Sequence, residues 1–234
     1  MTKYAQRQAL VVGEVTGIGL AIAKRLVEGG ASVLLTAHAG QEHARAVAEL
    51  GSAARVVAPF DVGTALTPRG PAGFGGAGVD LLFADAVPTV RPLLPHLKDG
   101  GAIVLTAPAP CPDAVRALAA ELAARGIRVN AVAPGCIEAP DVGDVPPSSP
   151  PPSPSSPSPP GPPPPPLPPL GRLGAAEEVA RAALFLATEA TFTTGARLPV
   201  DGGLGPPADA HAHAHSATAS SPAPSLPEDL EHTP

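Results

Sequence analysis

Residues 8–19 read Gln8-Ala9-Leu10-Val11-Val12-Gly13-Glu14-Val15-Thr16-Gly17-Ile18-Gly19, an apolar run that breaks into a three-glycine loop and passes into a helical period. Gln8 to Val12 has the β-branched, apolar character of a buried strand. From Gly17 to Glu28 the residues Ile18, Ile22 and Leu26 recur every four positions, while Lys24, Arg25 and Glu28 take the other side, so this stretch is an amphipathic helix. A glycine loop between a strand and a helix suits a phosphate. The first helical turn has unpaired N–H groups at the positive end of its dipole, and glycines let an anion approach the backbone closely. Gly13, Gly17 and Gly19 are spaced to do this; the plainer alternative is that they serve only tight packing of strand against helix.

The pattern continues outward in the same alternation. Gly29-Gly30 ends the helix and Ala31–Thr36 reads as a second strand; a helix over Gln41–Leu50 leads to a third strand, Ala54–Pro59, closed by Asp61-Val62. Residues 63–78, GTALTPRGPAGFGGAG, are broken throughout by Pro and Gly and offer no helical face. Strands resume at Val79–Ala84 and Ala102–Thr106, with only Arg91–Lys98 between them able to form a turn or two of helix. Asp113–Arg125 is an Ala-rich helix, Ile127–Val132 a strand, Ala176–Thr188 a helix with Glu177 four residues before Arg181, and Ala196–Val200 a last strand. Strands alternating with helices predict a doubly wound α/β domain with a parallel sheet. Its strands are apolar on both faces and need helices on both sides. Two covering helices are missing or shortened in the sequence, which predicts an under-covered sheet face, with marginal stability or a homo- or hetero-oligomeric partner over the gap.

Composition narrows the function classes. Of 234 residues, 34 are proline, crowded into residues 146–169 and a tail at 205–234. Poly-proline lacks backbone donors, and the tail lacks the apolar side chains that would offset its ordering entropy. The expected organisation is therefore a core over residues 1–145, a proline-rich linker at 146–169, the last helix and strand of the same core at 170–204, and a disordered tail. Aromatic residues make up only 3 % of the chain, so the core must be aliphatic. Net charge is -6 with no block of Lys or Arg, which argues against nucleic acid and anionic membranes as partners. No apolar run is long enough to span a bilayer. A glycine turn stands where a signal peptide would need its apolar stretch, so the expected location is cytoplasmic. Cys111 and Cys136 have no metal or redox spacing and read as free thiols.

With these segments in view, the chain resembles a short-chain dehydrogenase/reductase. The family's glycine motif is matched by Val12-Gly13-Glu14-Val15-Thr16-Gly17-Ile18-Gly19. Asp61-Val62 resembles the pair that contacts adenine, and Arg125 through Gly135 resembles the sixth strand and its Pro-Gly turn. Gly171-Arg172-Leu173-Gly174 through Asp201-Gly202-Gly203 resembles the C-terminal helix and strand. The resemblance covers most of residues 7–204. It implies a Rossmann sheet of order 3-2-1-4-5-6-7, NAD or NADP as cofactor, and hydride transfer between nicotinamide and a carbonyl or alcohol of an unspecified small-molecule substrate. The cofactor residues it implies are Gly13, Thr16, Gly17, Ile18, Gly19, His38, Asp61, Val62, Asp85, Pro134, Gly135 and Ile137. The second strand ends Thr36-Ala37-His38, with neither the carboxylate that would bond an adenosine ribose nor the Arg that would favour a 2′-phosphate; His38 is a phosphate contact when protonated or a plain exposed loop residue.

The resemblance also implies a Tyr-x-x-x-Lys pair after the fifth strand, a Ser at that strand's end and an Asn on the preceding helix. The tyrosine moves the proton, and the lysine lowers its pKa and holds the nicotinamide ribose. The only tyrosine here is Tyr4, and the lysines are Lys3, Lys24 and Lys98. Alignment on the Arg125-Gly126-Ile127-Arg128 junction leaves Val104 and Pro108 near the Tyr and Lys places, as though a segment were lost, while Pro108 also takes the place of the Ser. Ala84-Asp85-Ala86-Val87 replaces an Asn-Asn-Ala-Gly-like turn. Thr106 reads as a strand-end hydrogen bonder, Asp85 as an acid only if burial raised its pKa, and His96 and Lys98 as a solvated turn. The P-x-x-P repeats read as a surface linker or as a ligand for an SH3- or WW-type groove. His211, His213 and His215 read as low-complexity tail, and no metal is assigned. Three functional alternatives remain: an oxidoreductase of the short-chain type, a non-catalytic relative that binds a dinucleotide or partner subunit, or a degraded reading frame.

Overall fold

Seven short apolar segments find one another as a single parallel sheet in the computed structural model, which describes residues 3–13, 17–38, 40–67, 78–138 and 167–205. The strands are β1 (Gln8–Val11), β2 (Ser32–Thr36), β3 (Ala54–Val57), β4 (Val79–Ala84), β5 (Leu97–Thr106), β6 (Arg128–Pro134) and β7 (Arg197–Val200), in the order β3-β2-β1-β4-β5-β6-β7. Every neighbouring pair is parallel, and Leu10 stands level with Leu34 on one side and Leu82 on the other. This is the expected doubly wound order. Its reversal between β1 and β4 opens a crevice at the strands' C-terminal ends, the usual place for a ligand in such sheets.

The two-residue period of a strand divides the core into two. Ala9, Val11, Val33, Leu35, Leu81, Phe83 and Val104 face one way, onto α1 (Ile18–Glu28), α2 (Gln41–Leu50) and α6 (Ala176–Thr188). Leu10, Leu34, Leu82, Ile103 and Val129 face the other way, onto α3 (Val62–Ala65), α4 (Val87–Val90) and α5 (Pro112–Leu122). Each buried leucine or valine side chain contributes about 1.5–3 kcal/mol relative to exposure.

The expected gap in the second face is not found. Leu10, Leu34, Leu82, Ile103 and Val129 are fully buried there. Short pieces do the covering. One helical turn, α3, brings Val62, Ala65 and Leu66 over the sheet, although residues 63–78 carry no helical period. The helix expected at Arg91–Lys98 is instead the single turn of α4, beginning at Val87, followed by a 3-10 stretch over Arg91–His96; together they bury Val90 and Leu93. Pro92 stands in the first turn, where an N–H would have no helical partner, and Pro95 lacks the N–H that a continuing α-helix would need, so the segment stays a short 3-10 stretch.

Lys98 is not in a solvated turn. It lies in β5, which begins at Leu97, five residues before the expected strand, and its Nζ donates to both oxygens of Asp80 at 3.0 and 3.1 Å. Asp80 Oδ2 also accepts the Gln8 N–H, so this carboxylate joins β1, β4 and β5 at the sheet's lower end. On α6, Glu178 rather than Glu177 makes the charge contact, and its partner is Arg172, at 2.8 Å. The sixth strand continues two residues past its expected end, to Pro134, because β7 pairs with it there. No helix among the described residues is long and apolar enough to cross a membrane.

Candidate functional site

The crevice begins at the top of β1. Val12 N–H donates to Phe83 O, and the next residue, Gly13, turns away with φ +120°, a conformation open essentially to glycine. Its N–H donates to Thr36 Oγ1 at 3.2 Å, and Thr36 is fully buried at the end of β2. Gly17 then takes φ 74° as the N-cap of α1. Among the described residues no side chain caps this end, and the first-turn amides of Ile18 and Gly19 stand at the positive end of the helix dipole, which favours an anion. Thr16 lies outside the described residues.

The far wall comes from β6. Gly135 N–H donates to Val200 O, and a Cβ on Gly135 would stand 2.6 Å from Asp201 Cα, so only glycine fits between β6 and the residue after β7. Ile137 forms a parallel bridge with Gly174, where a Cβ would meet Ile137 Cδ1 at 2.8 Å. These two close approaches explain Gly135 in the Pro-Gly turn and Gly174, the second glycine of the Gly-Arg-Leu-Gly segment. Asn130 strengthens this wall from below: fully buried, it donates to Thr193 O and accepts from Ala196 N–H.

A cavity of about 380 Å³ lies between the walls, lined by Ile18 and Gly19 from α1, Phe83 and Asp85 from β4 and its turn, Thr106 to Pro108 beyond β5, and Pro134, Gly135 and Ile137 from β6. The described side chains lining it are apolar apart from Asp85 and Thr106. Thr106 Oγ1 lies 3.5 Å from Ala84 O as a donor, the strand-end role expected of it. Asp85 is exposed, and its Oδ1 accepts the Thr89 hydroxyl at 2.7 Å.

A second groove, of about 670 Å³, follows the free edge of β3 and is lined by Ala37, Gly40, His43, Ala58 and Asp61 among others. Asp61 is exposed there. Val62 is not: its side chain is buried in the second core, so only its backbone can face a ligand. His38 is exposed, and its N–H donates to Glu42 Oε2 at 3.2 Å, with Nδ1 3.6 Å from the same oxygen. A carboxylate therefore does stand at the end of β2. It comes from the first turn of α2 rather than from the strand, and the strand's own residues carry no sign of it.

Tyr4 and the lysines are not among the residues that line the cavity between the two walls. Tyr4 is 8 % exposed, its N–H bonded to Gly29 O, and its ring lies where a Gly29 Cβ would be, 2.2 Å from the nearest ring carbon. It sits beside the C-terminal end of α1, about 16 Å of helix from the glycine loop. Lys3 pairs with Glu189 at 2.6 Å, and this hydrogen bond holds its ammonium above the ordinary lysine pKa. Lys24 is exposed on α1, and Lys98 is held by Asp80. Val104, one of the two positions aligned with the Tyr and Lys places, is buried in the middle of β5, and β5 and α5 are joined by only five residues, Ala107–Cys111. Cys111 and Cys136 are free thiols.

Comparison with known proteins bears on these two walls directly. The short chain dehydrogenase family profile matches residues 7–66, and the profile described as enoyl-(acyl carrier protein) reductase matches residues 99–153 and 165–205. The cis-4-hydroxycyclohexanecarboxylate dehydrogenase of Sinomonas cyclohexanicum is 31 % identical over 252 residues, covering 86 % of this chain and 97 % of that protein. The 3-oxoacyl-[acyl-carrier-protein] reductase FabG of Thermotoga maritima is 45 % identical over 87 residues, 37 % of this chain and 31 % of that one. Among solved structures, a short-chain dehydrogenase/reductase from Serratia marcescens superposes with a TM-score of 0.64 at 22 % identity, covering 86 % of this chain and 98 % of that one.

Proposed function

The chain belongs to the short-chain dehydrogenase/reductase family, and from that premise we propose that it binds a nicotinamide dinucleotide, NAD(H) in preference to NADP(H), without the proton transfer that carbonyl reduction requires. The glycine cradle fits such a group: a left-handed Gly13, an uncapped α1 and a Gly135 that admits no side chain leave room for a pyrophosphate against bare backbone. Gly17, Ile18 and Gly19 hold the pyrophosphate by their amides. Pro134, Gly135 and Ile137 form the apolar wall for the nicotinamide, and Asp61 meets the adenine. Glu42 stands where it can accept a hydrogen bond from the adenosine ribose and would repel a 2′-phosphate. When bound, the nicotinamide supplies or accepts hydride.

The observation that carries the non-catalytic part is the position of Tyr4, packed on Gly29 at the end of α1 remote from the crevice. Among the described residues, no side chain lining the crevice is a phenol or an ammonium group. A second reading, turnover, is favoured by the near end-to-end match to a dehydrogenase of a hydroxylated ring. In it an alcohol would lose hydride to the nicotinamide and a proton to a base, and Asp85 is the carboxylate lining the crevice.

Titration of NADH and NADPH against cofactor fluorescence tests both parts. NADH is expected to bind at least about tenfold more tightly than NADPH, and Glu42→Gln to narrow that ratio several-fold. Absence of binding by either dinucleotide would eliminate the proposal. A panel of small carbonyls and alcohols, followed by nicotinamide absorbance, is expected to give no turnover above the buffer rate; turnover abolished by Asp85→Asn would establish the second reading instead.

A further inference from the structure

Asp85 occupies the anion's side of the crevice. A Cβ built on Gly13 would stand 3.1 Å from Asp85 Cγ and 3.3 Å from Oδ2, so the carboxylate lies directly against the first glycine of the loop. Thr89 fixes its orientation, because its hydroxyl is donated to Oδ1, leaving Oδ2 on the Gly13 side. Gly13 gives it no hydrogen bond in return, since the Gly13 N–H is directed to Thr36 Oγ1. The same cavity is lined by Ile18 and Gly19, the first-turn residues whose amides favour an anion. A negative side chain and a helix terminus suited to negative ligands thus share one small space.

We propose that Asp85 sets the charge preference of this crevice, weakening pyrophosphate-bearing ligands by like-charge repulsion relative to ligands without phosphate. The inference rests on the dinucleotide reading above and adds a term that opposes it. Two phosphate charges within about 8 Å of a partly solvated carboxylate lower affinity about three- to tenfold at low ionic strength, and screening removes most of that at high salt. The carboxylate is a specificity-determining group here, acting on the ligand's charge through space.

The test is the dissociation constant of NADH, and of reduced nicotinamide riboside, which carries no phosphate, for the full-length protein, Asp85→Asn and Asp85→Ser, at about 20 mM and about 500 mM salt. Two neutral replacements are used so that poor folding of one, seen by circular dichroism, does not decide the matter. Asp85→Asn and Asp85→Ser are expected to bind NADH about three- to tenfold more tightly than wild type at low salt, less than about twofold more tightly at high salt, and to bind the uncharged nucleoside within about twofold of wild type at either salt. Wild type binding NADH as tightly as, or more tightly than, both folded variants would overturn the inference while leaving the dinucleotide reading intact. Failure of all three proteins to bind NADH at either salt would overturn both.

Discussion

Single side chains decide whether the crevice exists, and glycine positions decide most sharply. A methyl group at Gly135 would meet Asp201 Cα at 2.6 Å, a backbone atom that cannot rotate aside. Gly135→Ala is therefore expected to lower unfolding stability by about 2 kcal/mol or more, because β6 and β7 must separate to admit it; urea denaturation measures this. The residues that complete the cradle were less visible in the sequence. Thr36 looks like any strand-end threonine until the fold sets it beside Gly13 N. Glu42 looks like an ordinary first-turn acid of a helix until its carboxylate folds back onto the His38 amide. Gly13, Gly17 and Gly19 were legible, since a strand, a glycine loop and an amphipathic helix in succession describe a local geometry.

Elements are tied together by charge-assisted contacts at their ends. Arg172 donates to both oxygens of Glu178, and Glu178 Oε2 also accepts the Ala175 N–H, one of the otherwise unpaired donors at the start of α6. The Arg172 hydrogen bond, then the Ala175 amide, hold the Glu178 carboxyl down at about 2. A carboxyl whose folded pKa lies below its unfolded value stabilises the fold above that unfolded value, and the contribution is lost as pH falls through the folded one. Wild type is thus expected to exceed Glu178→Gln in urea midpoint by a constant margin above about pH 4.5, a margin that shrinks steadily toward pH 2. An unchanged margin at the acidic end would contradict the assignment. The helical periods of α1, α2, α5 and α6 were readable because each buries one face over ten or more residues. The single turns α3 and α4 were not, because four residues carry no period.

For the whole molecule, all seven strands lie between Gln8 and Val200. Removing residues 206–234 is expected to leave the melting temperature within about 2 °C and NADH affinity within about twofold of the full chain, since that composition offers little apolar surface to bury. A loss of several degrees in a thermal melt would show that the tail contributes to the fold. The proline stretch through residue 166 and the tail lie outside the described residues, so the linker and disordered-tail expectations stand as proposals. By itself the sequence determined the α/β alternation, the parallel sheet and the glycine loop, because these follow from periodicity and from backbone conformations that only certain residues adopt; the strand order was implied by the family resemblance. Tertiary structure alone decided that short Pro-broken turns close the second face, that Tyr4 is committed to Gly29, and that the Glu42 carboxylate bonds the His38 amide beyond the end of β2. Those outcomes depend on which atoms meet across the fold, and no local pattern of residues encodes such a meeting.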